Sequence, residues 1–238
     1  MVHGSFFTDI GTREVNEDCA FLKEEKNSLV AVVADGLGGQ GGGQFASKIA
    51  VDYLCEFLPM QDEEELHKRY EKANDEILGN QKAGIKMMST AVSLYIEDNK
   101  ALWAHIGDSR LYHFYNGQMI MQTYDHSVSQ MAVYRKEITQ EEIRFHEDRN
   151  RILRALGGDE EVREEQNSIL LEPGFHAFLL CTDGFWEFVL EKEMEETLQS
   201  SPTPEEWLVK MCNVLQQKNV DEHDNFTAAA IFYTGEDK

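Results

Sequence analysis

An alternation of apolar and polar residues between positions 90 and 122 constrains the fold more than any other feature of this sequence. Apolar residues occupy every second position from 92 to 96, and the same spacing returns at 102–106 after the turn residues EDNK. The dipeptide Asn-Gly at 116–117 then separates two β-rich runs, and Asn-Gly is the strongest short signal for a hairpin. Together these segments predict a meander of antiparallel strands.

Helices are predicted between the strands, without strict alternation. Apolar residues at helical spacing indicate helices after the glycine-rich segment 36–43, between residues 62 and 77, and over residues 203–218. Antiparallel strands with inserted helices favour an α+β fold, in which helices cover the sheets, over a doubly wound parallel sheet. The other predicted strands cover residues 28–34, 168–171, 177–181 and 226–233.

The charge balance excludes several classes of partner. The chain has 22 basic and 44 acidic residues, a net charge of −22, so its surface repels the phosphates of nucleic acids and of anionic membranes. No apolar run approaches the roughly 20 residues that a spanning helix needs. We therefore expect a cytoplasmic protein that binds neither nucleic acid nor membrane. The absence of repeats and low-complexity tracts predicts a single domain over residues 1–238.

Aspartates recur where apolar or β-rich segments end. Each has an ordinary explanation, because Asp-Gly, Asp-Ser and Asp-Asn are common turn pairs. Their recurrence suggests one shared site if the strand ends share an edge. Aspartates without a nearby His/Cys cluster are typical of a hard oxygen site for Mg²⁺ or Mn²⁺. These residues are Asp35, Asp108, Asp125, Asp183 and Asp224.

Glycines follow the first of these acids. A flexible turn would explain them, but bare backbone also lets another group come close to Asp35 and Gly36. The Gly36 carbonyl could then bind a metal directly. A phosphate-binding loop is a weaker alternative, because the segment has no lysine and does not match GxxxxGK[ST].

Seven short motifs occur in the order RxxNED, DGLGG, GDSR, DHS, RNRILRALG, TDG and DN. In this order and at these intervals they resemble the metal-dependent type 2C serine/threonine protein phosphatases, over about residues 3–233. The chain looks most like the minimal bacterial form. The resemblance implies a four-layer αββα sandwich, with two antiparallel sheets face to face and helices outside each.

The resemblance also implies a role for individual residues. Two metal ions would be bridged by Asp35 and held by the Gly36 carbonyl, Asp183 and Asp224, and Asp125 with Asp183 would hold a third. Arg13 would bind the substrate phosphate, and Glu17 and Asp18 would hold metal-bound waters. Asp108 and Arg110 are expected to be structural.

The sequence departs from the family pattern near Asp35. Leu37 stands where some members have a histidine, and Gln40 and Gln44 stand at positions that are often His and acidic. The general acid is therefore unassigned. His126, next to Asp125, is a candidate by proximity alone.

These observations predict a Mg²⁺- or Mn²⁺-dependent phosphatase that hydrolyses phosphoserine and phosphothreonine in proteins by attack of a metal-bridging water. A catalytically silent phosphoprotein-binding scaffold and a two-metal phosphatase for small metabolites are the alternatives. The expected partners are phosphorylated proteins and a cognate Ser/Thr kinase, and the expected state is a monomer. Residues 127–150 break the strand pattern and are predicted to form a flap, with a plain surface connection as the alternative.

Overall fold

The protein is described here by a computed structural model that covers residues 1–38, 42–58, 62–81, 86–218 and 222–235. Asp62 begins one helix by accepting hydrogen bonds from the backbone N–H groups of Glu64 and Glu65, and Thr203 begins another in the same way. The helices are α1 (Gly42–Leu54), α2 (Glu63–Asn80), α3 (Val128–Tyr134), α4 (Asp183–Trp186), α5 (Glu191–Leu198) and α6 (Pro204–Gln216), and a 3₁₀ helix spans Glu141–Phe145. The strands are β1 (Val2–Asp9), β2 (Asp18–Glu25), β3 (Ser28–Leu37), β4 (Met88–Ser89), β5 (Ala91–Glu97), β6 (Lys100–Ile106), β7 (Arg110–Tyr115), β8 (Gln118–Gln122), β9 (Glu165–Leu170), β10 (Gly174–Cys181) and β11 (Phe226–Gly235).

The strands form two antiparallel sheets. One has the order β1-β11-β10-β7-β8, and the other has the order β2-β3-β5-β6-β9 with β4 paired to the end of β3. Helices lie outside each sheet, which confirms the predicted α+β sandwich. The strands predicted from apolar patterning are present within a few residues of their expected ends. β1 and β2 were not recognised from the pattern.

Strand β3 shows why the sandwich has four layers. Its even-numbered residues from 30 to 34 pack with α1 and α2, whereas its odd-numbered residues from 29 to 33 pack against the facing sheet. A strand buried on both faces needs a continuous apolar run, and the sequence LVAVVA supplies one. The outer face of the other sheet packs in the same way against helices α4, α5 and α6.

The predicted meander is wrong in one respect, because the chain changes sheets between β6 and β7. β6 pairs with β5 and β9, whereas β7 pairs with β8 and β10. The change occurs at Gly107, whose φ of 98° favours glycine. A Cβ at this position would overlap the side chain of Thr90. The crossing brings Asp108 to the edge where β3 ends.

The hairpin predicted at Asn116-Gly117 is confirmed. Both residues have positive φ, 49° and 83°, as a tight turn between β7 and β8 requires. Within the described ranges, no helix has the length and apolar character needed to cross a membrane.

Candidate metal centre

Asp18 and Asp35 face each other across strands β2 and β3. The backbone of Asp35 is held by Thr90: the Asp35 N–H donates to Thr90 Oγ1 (3.0 Å), and the Thr90 N–H donates to the Asp35 carbonyl (2.9 Å). The predicted bridging acid is therefore fixed at the end of a buried strand, beside a second acid.

Gly36 and Gly43 explain part of the glycine-rich segment. A Cβ at either glycine would overlap the backbone of the other, so the end of β3 and the start of α1 approach each other as only glycines allow. The Gly36 N–H donates to the Glu17 carbonyl (3.1 Å). The same carbonyl accepts a hydrogen bond from Ser47 Oγ in α1. Glu17 thus joins the segment before β2 to both sides of this contact.

Asp183 and Asp224 are brought together by a second close backbone approach. Asp183 begins α4, and a Cβ at the following Gly184 would overlap the carbonyl of Asn225. Each aspartate accepts a hydrogen bond from the next N–H along the chain, from Gly184 at 2.7 Å and from Asn225 at 2.8 Å. Each therefore keeps oxygen lone pairs for another partner.

Threonine side chains connect Asp18 to the strands of the other sheet. Thr182 Oγ1 donates to Asp18 Oδ2 (2.9 Å) and accepts from the Thr227 N–H (3.0 Å). The other oxygen of Asp18 is buried without a hydrogen-bond partner. This arrangement links β2 in one sheet with β10 and β11 in the other.

Asp108, which is expected from the sequence to be structural, lies among the other acids. It is 2% exposed, and its Oδ1 has no hydrogen-bond partner. Burial raises the pKa of Asp35 and Asp183, and the negative charge of Asp108 raises both further, so Asp108 lies close to these two acids. Its position after an apolar strand was the available signal. We call Asp18, Asp35, Asp108, Asp183 and Asp224 the acid cluster.

Burial of like charges dominates the electrostatics of the acid cluster. Burial, followed by the charges of neighbouring acids, raises the pKa of Asp35 and Asp183 well above the ordinary range. Burial also raises the pKa of Asp18 to about 6 and that of Asp108 to about 7. A divalent cation would relieve this repulsion. Because the donors are carboxylate oxygens, they suit Mg²⁺ or Mn²⁺ better than zinc.

Arg13 lies on a predicted metal ligand. Its Nε and Nη2 donate to the two oxygens of Asp224, at 2.9 and 2.8 Å. Both side chains are about half exposed. The structure therefore places the predicted phosphate-binding arginine at the acid cluster.

Asp125 has a different partner from the one that the resemblance implies. Arg110 donates from Nε and Nη2 to both Asp125 oxygens at 2.7 Å, and both side chains are 1% exposed. The guanidinium also lies 3.4 Å from the ring centroid of Trp186. The Trp186 Nε1–H donates to the carbonyl of Asp108 (2.9 Å). Arg110 and Asp125 therefore form a buried ion pair that uses both Asp125 oxygens.

His126 is buried beside a second group of possible ligands. Its ring stacks on His105 with centroids 4.8 Å apart, and its Nε2 lies 3.2 Å from Glu165 Oε1. These three residues have ligand atoms within 4.8 Å of one another. However, His126 Nδ1 accepts a hydrogen bond from the Gly107 N–H (3.1 Å), so neutral His126 has its proton on Nε2. With Nδ1 accepting this bond and Nε2 protonated, neutral His126 has no free nitrogen lone pair for a metal.

The positions that depart from the family pattern contribute backbone to this region. Leu37 pairs with Met88 in the short β3–β4 ladder, and the Gln44 carbonyl accepts a hydrogen bond from Ser47 Oγ. Gln40 lies outside the described residues.

Comparison with known proteins identifies relatives over most of the chain. The sequence model of the family described as "Protein phosphatase 2C" matches residues 9–225. The serine/threonine phosphatase stp of Listeria monocytogenes serotype 4b is 33% identical over 215 residues, which are 85% of each chain.

Solved structures agree with this result. The serine/threonine phosphatase Stp1 from Staphylococcus aureus superposes with a TM-score of 0.85 at 28% identity, covering 100% of this chain and 96% of that one. The catalytic domain of the phosphatase PstP, in complex with two manganese ions, gives a TM-score of 0.82 at 26% identity and covers 97% of both chains.

Proposed function

The chain belongs to the protein phosphatase 2C family and is a metal-dependent serine/threonine protein phosphatase, and we propose that its acid cluster is the metal centre. Asp35, the Gly36 carbonyl, Asp183 and Asp224 hold two ions in this proposal. The supporting observation is that five aspartates meet at one edge of the sandwich, where burial and mutual repulsion raise the pKa of Asp18, Asp35, Asp108 and Asp183. Such an arrangement is costly in a folded protein unless a cation compensates it.

Two divalent ions bound at this centre would lower the pKa of a bound water and neutralise the negative charge of the phosphoryl oxygens. Arg13 binds the phosphate through its planar fork of donors once Asp224 has taken up metal. Asp18, held by Thr182 beside Asp35, orients water through its free oxygen. Glu17 fixes the start of α1 relative to β3, because its carbonyl accepts from the Gly36 N–H and from Ser47 Oγ.

The third ion and the choice between Mg²⁺ and Mn²⁺ stay proposals. The PstP structure contains two manganese ions. Asp108 suits a third ion better than Asp125, because Asp108 has a free buried oxygen, whereas both oxygens of Asp125 are bonded to Arg110 in a pair that is 1% exposed, unlike the half-exposed pair of Arg13 and Asp224. We therefore replace Asp125 by Asp108 in the proposed ligand set.

The substrates follow from the activity and are phosphoserine and phosphothreonine in proteins. The relatives named as serine/threonine phosphatases favour this function over a silent scaffold or a phosphatase for small metabolites. A cognate kinase, a monomeric state, a single domain and a cytoplasmic location remain our predictions from the sequence.

Phosphate release from a phosphothreonine peptide tests the proposed centre. We expect Mn²⁺-dependent turnover that EDTA abolishes. Replacing Asp183→Asn should lower turnover by about 100-fold or more, because a charged ligand is lost from the centre. Asp75→Asn, on the exposed side of α2, is the matched control. Turnover of the Asp183 variant near that of the control at saturating Mn²⁺ would contradict the assignment.

A further inference from the structure

We propose that Asn225 is a positioning residue for phosphate binding, acting through Arg13. This inference rests on the proposed function of Arg13 as the phosphate ligand. Arg13 lies in a connection between β1 and β2, residues 10–17, which we call the Arg13 loop. The loop contains no regular secondary structure, so the direction of its arginine depends on contacts with the rest of the protein.

The side chain of Asn225 holds the Arg13 loop at three points. Its Nδ2 donates to the carbonyls of Ile10 (2.9 Å) and Val15 (3.1 Å), and its Oδ1 accepts from the Glu17 N–H (2.8 Å). Asn225 is 6% exposed. A buried amide that uses both donor and acceptor on one loop fixes the conformation of that loop, because each lost bond would leave a polar group unsatisfied.

Neighbouring contacts support the same docking. Thr12 Oγ1 donates to the His223 carbonyl (2.9 Å) and accepts from the His223 N–H (3.0 Å). Gly11 has a φ of 60°, and a Cβ there would overlap the carbonyl of Asp224. The loop therefore lies directly on residues 223–225, and Arg13 reaches Asp224 from this platform.

The position of Asn225 in the chain couples two parts of the centre. It directly follows the metal ligand Asp224, so the residue that docks the Arg13 loop belongs to the same segment as that ligand. The Glu17 N–H donates to Asn225 Oδ1, and the Glu17 carbonyl accepts from the Gly36 N–H. These two hydrogen bonds connect Asn225 to the end of β3. Asn225 thus sets the distance between the phosphate-binding arginine and the acids on both sheets.

The test compares phosphate affinity with metal affinity. Asn225→Ala removes all three bonds without adding charge to the acid cluster. In the Mn²⁺-loaded enzyme, we expect the Ki of inorganic phosphate as a competitive inhibitor to rise about 10-fold, as when an oriented charge-assisted contact is lost. The calorimetric Kd for Mn²⁺ should stay within about five-fold, because the ligand oxygens themselves are unchanged.

Asn74→Ala is the matched control. Asn74 is 1% exposed, accepts from the Gly157 N–H (2.7 Å) and donates to the Asp159 carbonyl (2.9 Å), between α2 and a distant loop. It should lower the melting temperature and leave the phosphate Ki unchanged. If Asn225→Ala does not fold, Asn225→Ser, which also shortens the side chain without adding charge, replaces it.

A double-mutant cycle with Arg13→Ala separates positioning from general damage. If Asn225 acts through Arg13, the double variant binds phosphate as weakly as Arg13→Ala alone. The proposal is overturned if the two effects multiply, if Asn225→Ala leaves the Ki unchanged, or if Asn74→Ala raises it equally. An unchanged phosphate Ki in Arg13→Ala would reject both this inference and the assignment of Arg13 as the phosphate ligand. Turnover of the wild type that does not depend on Mn²⁺ would instead reject the metal centre.

Discussion

Both oxygens of Asp125 accept hydrogen bonds from Arg110 at 2.7 Å, in a pair that is 1% exposed on each side. The guanidinium stacks on Trp186, whose indole N–H holds the carbonyl of Asp108. This buried ion pair therefore underlies the acid cluster, and it joins β7 to the start of the segment predicted as a flap.

The first prediction concerns the stability that this pair provides. Asp125→Ala should lower the free energy of unfolding by about 3–5 kcal/mol, because Arg110 would be left buried without a counter-charge. Urea denaturation measures the change. The control is Glu161→Ala, which removes an exposed partner of Arg163 and should cost less than about 1 kcal/mol. Equal small losses in the two variants would contradict the structural role, and a lost metal ion in folded Asp125→Ala would restore the third-ion role.

The second prediction concerns competition between Arg13 and metal for Asp224. Metal must displace the guanidinium from the Asp224 oxygens, so Arg13→Ala should tighten Mn²⁺ binding about two- to five-fold, as expected for an exposed ion pair. The same variant should weaken phosphate binding. Calorimetric titration with Mn²⁺ measures the first effect, and it should diminish at high salt. Weaker Mn²⁺ binding by the variant would show that Arg13 supports the ligand instead of competing with it.

The third prediction concerns the pH dependence of stability without metal. Burial raises the pKa of Asp108 to about 7 in the folded protein, above its usual value near 4. Below both values the group is protonated in both states and has no effect. As pH rises between them, the unfolded chain releases the proton first, so the folded state binds more protons and loses stability.

Asp108→Asn should therefore be more stable than the wild type in EDTA, by a margin that grows from pH 4 to pH 8. Melting temperatures of both proteins across this range measure the margin. The buried histidines, whose lowered pKa values reduce stability in acid, affect both proteins alike and cancel in the difference. A margin that shrinks as pH rises would contradict the raised pKa, and Mn²⁺ should abolish the margin at pH 8.

The fourth prediction concerns the flap. Ile143 is fully buried, and Arg144 donates to the Trp186 carbonyl (3.0 Å) and to Glu191 (2.7 Å), so this end of the segment is tied to the core. Tyr134, at the end of α3, is 56% exposed. It remains the better probe of substrate contact, because Ile138 packs against the core.

Tyr134→Ala and Arg135→Ala should each change kcat/KM for a phosphopeptide at least about three-fold more than for a small aryl phosphate, because only the peptide extends beyond the metal centre. Val209→Ala, at an exposed position of α6, is the control. Equal effects on the two substrates, or none on either, would favour a plain surface connection.

Local features of the sequence were sufficient for much of this structure. The run LVAVVA predicts a fully buried strand because both faces of β3 are covered, and Asn-Gly predicts a tight hairpin because both residues accept positive φ. Asp35 and Asp183 could be predicted as site residues because each stands in an Asp-Gly pair where a buried strand ends. A carboxylate in that position lies at the edge of its sheet. The order of the seven motifs indicated the phosphatase family.

Only the tertiary structure decided which strands share a sheet and which side chains meet. The alternation in β6 and β7 is the same whether they pair with each other or lie in different sheets. A period of two shows which face of a strand is buried, but it does not show which strand lies beside it. Asp108 and Asp125 both follow strands and have equivalent local sequence signals. Their roles differ because Arg110 reaches Asp125 across the β7–β8 hairpin, whereas the change of sheet at Gly107 leaves an oxygen of Asp108 buried among other acids. Such partnerships depend on distances between segments far apart in the chain, which no local pattern of residues specifies.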